Sequence, residues 1–395
     1  MTHHAAPVLL AVAAALTVPA AGRSRPADDG ERSRRTDVRA AEAVLEGLVG
    51  RDEPGLAVLV RKDGKTVLER GWGLRDMRGR ANVDARTSFR LASVTKPFTA
   101  TAVMLLVRDG RLRYDTALTD VFPSFPAWGR AVTIRHLLTH TSGVPDYEEL
   151  MAEAEKAGGP AWTPGRQIHD DEVLALLRGA TKGRFAPGTS WAYSNSGYVL
   201  LGLVVARVSG TPFGEFLAKR VFRPLGMDRT LAYESGKNEV PARAFGHARE
   251  GASFREADQS ATSATLGDGG VYSNLQDLAR WDEALRTAAL LSPGATKAAL
   301  DPATLPDDTL PRWPAGEVGG DNLAPGERVA YGFGWFLDPW KGRRRTWHHG
   351  DTIGFRSAIQ RFPDDGLTVV VLANRDDFDV RRLALDVADA YLGRP

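Results

Sequence analysis

The chain has 395 residues, of which 43% are hydrophobic and 25% are charged, which is typical of a globular protein with a sizeable core. A formal net charge of +2 gives no reason to expect nucleic acid or a membrane surface as a partner. The sequence contains no cysteine, which excludes a disulfide framework and a thiol nucleophile. The histidine, aspartate and glutamate residues are scattered without the spacing of metal ligands, so we expect neither a metal nor another cofactor.

The first 22 residues predict a secretory signal peptide. Val8–Val18 is an apolar run of suitable length, and Val18-Pro19-Ala20 offers a cleavage site of small residues. The run is too short for a comfortable membrane span, and no later segment is apolar enough for one. We therefore expect an exported protein, periplasmic or extracellular, without an integral membrane segment after cleavage. The region before the run lacks lysine and arginine, which leaves a wrongly chosen start codon or a disordered tail as the alternative.

Residues 23–36 are polar and charged and predict a flexible leader before one domain over 37–395. From Asp37 to about Gly50 the apolar residues recur with the period of a helix. Two strands, GLAVLVRK and KTVLERGW, flank Asp63-Gly64, a pair typical of a hairpin turn. Residues 96–300 are mostly helical and rich in loops, with the clearest helices in TIRHLLTHTSGVP, DDEVLALLRG, GYVLLGLVVARVSG and LQDLARWDEALRTAALL.

The end of the chain returns to strands. They are predicted in VAYGFGWFLD, RRTWHHG, FRSAIQRFP and LTVVVLANR, with a turn at 363–366 and a closing amphipathic helix in DVRRLALDVADAYLG. Strands at both ends of the chain predict an α+β fold. We expect a mainly antiparallel sheet, built from about 37–95 and 328–395 and flanked by helices, with a large, mostly helical insertion over about 96–300.

Ser93 and Lys96 lie three residues apart in LASVTKPFTA, before the apolar run AVMLLV. On a helix this spacing places both side chains on one face, and burial of a lysine there favours its neutral, basic form. Pro97 is tolerated only in the first turn of a helix, so we expect the helix to begin at about Ser93 and to end at Asp109-Gly110. The alternative is a helix-capping serine beside a solvated lysine.

Two further stretches carry groups suited to the same chemistry. Tyr193-Ser194-Asn195 lies in a polar turn before a buried helix, where a phenol can transfer protons and an amide can orient a lysine or a substrate carbonyl. Alternatively, Asn195 caps that helix. The strand that ends in His348-His349-Gly350 allows close approach of backbone at the glycine. Otherwise its histidines are half-exposed strand side chains.

Taken together, these motifs resemble those of the serine β-lactamase and penicillin-binding-protein superfamily. The similarity is greater to its branch of class C β-lactamases, D-alanyl-D-alanine carboxypeptidases and esterases, and it runs from about residue 40 to 392. It is carried by SVTK at 93–96 with PFTA, YSN at 193–195, and HHG at 348–350 with GF at 354–355. The stretches TIRHLLTHTSGVP, FAPGTSWAYSNSGYVLLG, RPLGMDRT and GDGGVYSNLQDLARW add to it. We interpret the first of these as chiefly structural, since another base would be redundant.

The resemblance implies a β-lactamase-like fold and acyl transfer in two steps through a serine-bound ester. Ser93 would be the nucleophile, and Lys96 with Tyr193 would activate it and return the proton to the leaving group. Which of the two takes the proton remains open at this stage. The partner implied is a small molecule or a short peptide.

The resemblance also implies which residues contact the substrate. Asn195 would contact it, and His348 stands where β-lactamases carry a lysine. The N–H groups of Ser93 and Asp351 would form an oxyanion hole.

One departure from the family concerns the substrate. Lactamases and peptidases of the family commonly carry hydroxyl residues where this chain has His349 and Asp351, and a carboxylate there repels an anionic β-lactam. The arginines of KGRRR could compensate, but that segment has the composition of a solvated hairpin tip. We expect an ester, an amide or a peptide with a free amino end to fit better. The alternatives are a D-alanyl-D-alanine carboxypeptidase, a class C-like β-lactamase, or a catalytically idle scaffold.

Overall fold

The computed structural model describes residues 1–2, 37–313 and 327–393. The predicted signal peptide and leader therefore lie outside the described residues, except for the first two. The strands of the described part are β1 Leu56–Lys62, β2 Lys65–Trp72, β3 Leu74–Asp76, β4 Ala81–Asn82, β5 Phe89–Arg90, β6 Leu231–Ala232, β7 His247–Glu250, β8 Ser253–Glu256, β9 Val271–Ser273, β10 Thr346–Thr352, β11 Phe355–Phe362 and β12 Leu367–Ala373.

The main sheet joins strands from both ends of the chain. Its order is β10-β11-β12-β1-β2, and every neighbouring pair is antiparallel. The predicted hairpin at Asp63-Gly64 connects β1 with β2, and both turn residues have positive φ, 51° and 75°. The predicted α+β fold with a mainly antiparallel sheet is confirmed.

Helices pack on this sheet, and most of them lie in the part of the chain between β2 and β10. They are α1 37–45, α2 Lys96–Arg108, α3 Leu118–Val121, α4 Ile134–Leu138, α5 Tyr147–Lys156, α6 Asp170–Gly179, α7 Asn195–Ser209, α8 Phe213–Leu217, α9 Leu275–Thr287, α10 Pro293–Leu300 and α11 Val380–Leu392. The predicted helical stretches correspond to α4, α6, α7 and α9, although α4 ends at Leu138, before its stretch does. Within the described ranges no single helix is long and apolar enough to cross a bilayer. A combination with sufficient apolar length, α7 with Phe213–Leu225, is bent by 75°.

Both faces of the main sheet are covered. Alternate side chains of its three central strands, β11, β12 and β1, belong to different cores. In β1, Val58 and Val60 pack in a core with residues of α1 and α11. Ala57 and Leu59 point the other way, into a larger core that contains α2, α7 and α9. This explains why β1 reads as a continuous apolar run.

Two local predictions are wrong. The α-helix begins at Lys96, not at Ser93, because a 3₁₀ turn over Ala92–Thr95 precedes it and Ala92 has a left-handed φ of 47°. Pro97 still lies in the first turn of α2, as expected from its missing N–H. The segment VAYGFGWFLD forms isolated bridges instead of a regular strand. Its Gly334, with a φ of 78°, packs so tightly on Lys96 that a Cβ atom would lie 2.9 Å from that backbone.

Candidate active site

Ser93 lies where α2 meets the main sheet and a small three-stranded sheet with the order β5-β9-β6. β5 pairs with β9, the 3₁₀ turn over Ala92–Thr95 follows, and the Lys96 N–H donates to the Ser93 carbonyl oxygen. The β10 strand passes on the other side, because a Cβ atom at Gly350 would lie only 2.8 Å from the Ser93 backbone nitrogen. The structure therefore brings the first and third motifs together, and it leaves the Ser93 residue partly exposed.

Lys96 is fully buried beneath Ser93 and is not the solvated lysine of the alternative interpretation. Its Nζ lies 2.9 Å from Ser93 Oγ, 2.9 Å from Asn195 Oδ1 and 3.1 Å from the backbone oxygen of Asp268. Asn195 is available for this contact because Ser194, not Asn195, caps α7 through the Gly197 N–H.

These three contacts define what a neutral Lys96 can do. The amide oxygen of Asn195 and the carbonyl oxygen of Asp268 can only accept hydrogen bonds. A neutral amine donates its two hydrogens to these two oxygens, and its lone pair then faces Ser93 Oγ. Of the three partners, only the Ser93 hydroxyl has a proton that the amine can accept. Burial lowers the pKa of Lys96 to about 8, against the opposing attraction of Asp268 and other carboxylates. About one tenth of the amines are therefore neutral at pH 7.

Tyr193 completes the group around Lys96. Its ring centroid lies 4.8 Å from Lys96 Nζ, and its hydroxyl is buried although the residue as a whole is partly exposed. Burial raises the pKa of Tyr193 well above 10, so the phenol is neutral. The Ser93 hydroxyl lies near enough to oppose this rise, yet no hydrogen bond of ordinary geometry joins the two within the described residues. In their neutral forms the buried amine of Lys96 can accept a proton and the phenol of Tyr193 can donate one.

Neither histidine of the third motif, His348 or His349, lines the cleft above Ser93. His348 is fully buried, its Nδ1 lies 2.6 Å from the His349 carbonyl oxygen, and Tyr331 donates to its Nε2 at 3.2 Å. Burial lowers its pKa well below 6.5, so the ring is neutral. Asp351, in contrast, is half-exposed and lines the cleft above Ser93. Its carboxylate lies 3.6 Å from Arg356 Nε.

Two carboxylates that the sequence motifs do not identify, those of Glu148 and Asp268, line the cleft above Ser93. They line it besides Asp351, and Asp268 Oδ1 is buried and has no hydrogen-bond partner within the described residues. Burial, and then Asp146 and Asp268, raise the pKa of Glu148 to about 7. The basic lining residue Arg90 donates to the hydroxyl and the carbonyl oxygen of Ser263.

The start of α5 brings Glu148 to the cleft. The Ser196 hydroxyl accepts from the Tyr147 N–H at 2.8 Å, which joins the start of α5 to the start of α7. Glu148, in the first turn of α5, therefore lies near Asn195. Two stretches of sequence point to these carboxylates. PDYEE, which contains Glu148, is a typical helix start, and GDGG at 267–270 contains Asp268. Its Gly267 packs against backbone where no Cβ fits.

The arginines of KGRRR do not line this cleft. Each forms an ion pair elsewhere: Arg343 with Asp365, Arg344 with Asp364, and Arg345 with Asp338. Arg345 is buried, so the segment is only partly the solvated tip that its composition suggests. The acidic character of the cleft is therefore not offset by these residues.

The sequence is similar to that of known proteins over most of its length. The family model described as Beta-lactamase matches residues 41–392. Penicillin-binding protein 4* of Bacillus subtilis (strain 168) is 30% identical over 354 residues, which cover 86% of this chain and 72% of that protein. The D-aminopeptidase of Cereibacter sphaeroides is 26% identical over 329 residues, 82% of this chain but only 57% of that enzyme.

Solved structures give the same result. The structure of the octameric penicillin-binding protein homologue from Pyrococcus abyssi superposes with a TM-score of 0.72 at 26% identity and covers 93% of this chain and 78% of that chain. The family model spans nearly the whole described domain, and the motifs around Ser93 lie within it. This chain therefore belongs to the serine β-lactamase and penicillin-binding-protein superfamily of serine hydrolases.

Proposed function

We propose that this protein is an exported serine hydrolase that cleaves an amide or peptide bond next to a free amino group. The reaction proceeds through an acyl ester on Ser93. The observation that carries this proposal is the buried amine of Lys96, 2.9 Å from Ser93 Oγ, with its other two partners able only to accept.

In the first step Ser93 Oγ attacks the substrate carbonyl carbon while its proton moves to Lys96 Nζ. The C–N bond then breaks, and the departing nitrogen receives a proton from Lys96 through the Tyr193 phenol, which passes one on and regains one. In the second step water attacks the ester, Lys96 takes the water proton, and Ser93 Oγ regains a proton as the C–O bond breaks. Atoms and charges balance, and the enzyme returns to its starting state.

The negative charge that develops on the carbonyl oxygen needs donors at the place where it forms. We assign this role to the backbone N–H groups of Ser93 and Asp351. The close packing of Gly350 on Ser93 supports the assignment, because it holds β10 beside the nucleophile.

The charges of the cleft favour a cationic group on the substrate. Glu148, Asp268 and Asp351 line it, and the guanidinium of Arg90 is engaged by Ser263 and Gly269. An ammonium group beside the scissile carbonyl would gain a partner there, whereas the carboxylate of a penicillin would be repelled. Similarity to a D-aminopeptidase, an enzyme named for substrates of this class, supports the proposal.

A pair of substrates that differ only at the amino group tests this proposal. D-alanine p-nitroanilide and its N-acetyl derivative carry the same scissile bond, and the L-enantiomers report stereochemical preference. At pH 8, where Glu148 is ionised, we expect the free amine to react faster. Glu148→Gln should lower kcat/KM for the free amine about tenfold or more, because a hydrogen bond to a charged group contributes about 1.5–3 kcal/mol.

The control is the N-acetyl substrate, whose kcat/KM should change little in Glu148→Gln. Equal losses on both substrates, or a preference of the wild type for the acetylated one, would contradict the ammonium assignment. Fast, saturable turnover of a chromogenic cephalosporin would instead favour a β-lactamase, and release of D-alanine from a D-Ala-D-Ala peptide a carboxypeptidase. No reaction of wild type beyond that of Ser93→Ala would indicate an idle scaffold.

Export rests on the sequence of the first 22 residues. We propose cleavage after the small-residue site at 18–20, so the protein recovered outside the cytoplasm should begin near residue 21–23. An uncleaved chain that stays inside the cell would overturn this part of the proposal alone.

A further inference from the structure

His140 holds the chain on both sides of Tyr193. The Ala192 N–H donates to the His140 carbonyl oxygen at 3.0 Å, and the Ser194 N–H donates to His140 Nδ1, also at 3.0 Å. The imidazole also lies against the Tyr193 ring, with centroids 4.4 Å apart. One residue thus fixes both the backbone and the ring of Tyr193.

The backbone of His140 has an uncommon conformation. Its φ is 60°, in the left-handed region that residues other than glycine adopt rarely. The neighbouring residue is held in place, because the Thr141 N–H donates to the His136 oxygen and the Thr141 oxygen accepts from the Gly188 N–H. A conformation of this kind persists only where the surrounding structure holds it, and such residues cluster at functional sites.

The imidazole acts here as a neutral acceptor. Burial lowers the pKa of His140 well below 6.5, and the charge of Lys96 acts in the same direction. Since Nδ1 accepts from Ser194, the ring proton lies on Nε2, which has no hydrogen-bond partner within the described residues. An apolar side chain would fill this place without burying an unpaired N–H, so packing alone does not explain a histidine.

We propose that His140 is a positioning residue that holds the Tyr193 phenol where it can pass a proton to the leaving group. This inference rests on the proposed function and extends it, since His140 acts through Tyr193 and not on the substrate. It also revises our interpretation of TIRHLLTHTSGVP as chiefly structural. An amine cannot leave without a proton, whereas p-nitrophenolate can. Loss of the positioning should therefore slow amide cleavage and spare aryl esters.

Two variants of the full-length chain form a matched pair. His140→Asn places an oxygen as far from the backbone as His140 Nδ1 is, and asparagine tolerates the left-handed conformation. His140→Gln carries the same amide one carbon further out. On D-alaninamide we expect the asparagine variant, which keeps the hydrogen bond from the Ser194 N–H but loses the contact with the Tyr193 ring, to keep kcat within about tenfold. The glutamine variant should lose about a hundredfold in kcat with KM little changed, the size of a lost proton-transfer contribution.

Hydrolysis of p-nitrophenyl acetate is the internal reference and should fall by less than about threefold in both variants, as no proton is needed by that leaving group. All rates are expressed per Ser93 labelled by a fluorophosphonate, so partly unfolded protein does not imitate the effect. Equal amide rates in the two variants, or equal losses on amide and ester, would overturn the proposal.

A double-mutant cycle keeps the proposal testable if one variant folds poorly. In a Tyr193→Phe background, His140→Gln or His140→Ala should lower amide turnover by less than about twofold further, since the group they position is gone. Fully additive losses would overturn the inference. Failure of the wild type on every amide, with active ester hydrolysis, would contradict the proposed function and remove the inference with it.

Discussion

Gly350 packs against Ser93 with no room for a side chain between them. A Cβ atom at position 350 would lie 2.8 Å from the Ser93 nitrogen, 2.2 Å from the Leu91 carbonyl oxygen and 2.6 Å from Ser357 Oγ. Two of these atoms belong to backbone, so neither can rotate away. The spacing between Ser93 and the strand that carries Asp351 therefore depends on a glycine at this position.

Gly350→Ala should consequently impair the site more than its single methyl group suggests. β10 or the turn with Ser93 has to move, which would displace the two backbone donors proposed for the oxyanion hole. We expect phosphonylation of Ser93 by a fluorophosphonate to slow by about 100-fold, the size of the loss of one such donor. Overpacking should also lower the free energy of unfolding by about 1–3 kcal/mol.

Gly179→Ala is the matched control for this substitution. Gly179 lies at the end of α6 without a positive φ, and among the described residues outside its own helix no atom lies within 4 Å of an added Cβ, so labelling and stability should stay unchanged. Wild-type labelling in Gly350→Ala would show that the close contact does not set the geometry of Ser93.

The rate of Ser93 acylation by a neutral ester should rise with pH up to about 8. Burial lowers the pKa of Lys96 to about 8, and only the neutral amine can accept the Ser93 proton. Below this pKa the neutral fraction rises about tenfold per pH unit, and above it the rate should reach a plateau. Burst amplitudes and rates with p-nitrophenyl acetate between pH 5.5 and 9.5 measure this profile, and a rate that falls through this range would contradict the assignment of the base.

Asn195→Asp should move that profile to higher pH. The Asn195 side chain lies 2.9 Å from Lys96 Nζ, so a carboxylate in its place favours the ammonium form and raises the pKa of Lys96. At pH 7 the variant should react about tenfold or more slowly than the wild type and recover part of the difference at pH 9. An unshifted profile would show that another group controls it.

The sequence predicted the contact between Ser93 and Lys96 and the turn at Asp63-Gly64, because these depend on residues a few positions apart. It did not predict the left-handed conformations of Ala92 and His140, since neither residue type demands them. They result from hydrogen bonds to distant segments, such as that from the Leu91 N–H to the Val271 oxygen.

The third partner of Lys96 was unpredictable for another reason. It is the backbone oxygen of Asp268, and a carbonyl group leaves no trace in residue type. The sequence also predicts a strand at 329–338, which the structure does not contain. Side chains of this segment are buried, among them Tyr331 and Phe336, but Gly334 turns the backbone toward α2.

One prediction concerns stability alone. Asp282 of α9 lies buried against the main sheet, 3.2 Å from Arg61 Nε and 3.0 Å from Arg361 Nε, and it accepts from the Thr368 hydroxyl at 2.7 Å. Asp282→Ala leaves the buried Arg61 with Glu283 as its ion-pair partner and also removes a partner of the partly buried Arg361, so it should lower the free energy of unfolding by about 3 kcal/mol in urea denaturation. Ester turnover at low temperature should survive.

Asp115→Ala serves as the comparison, since the pair of Asp115 with Arg113 is exposed and should leave the urea midpoint unchanged. Similar midpoints for the two variants would indicate that the buried cluster around Asp282 adds little to stability.

The most direct measurement is the intact mass of the protein after brief mixing with a slowly hydrolysed D-alanine ester, followed by peptide mapping. We expect an added mass of one acyl group on the peptide that contains Ser93, and none in Ser93→Ala. An acyl group on another residue, or substrate turnover that persists in Ser93→Ala, would contradict this expectation.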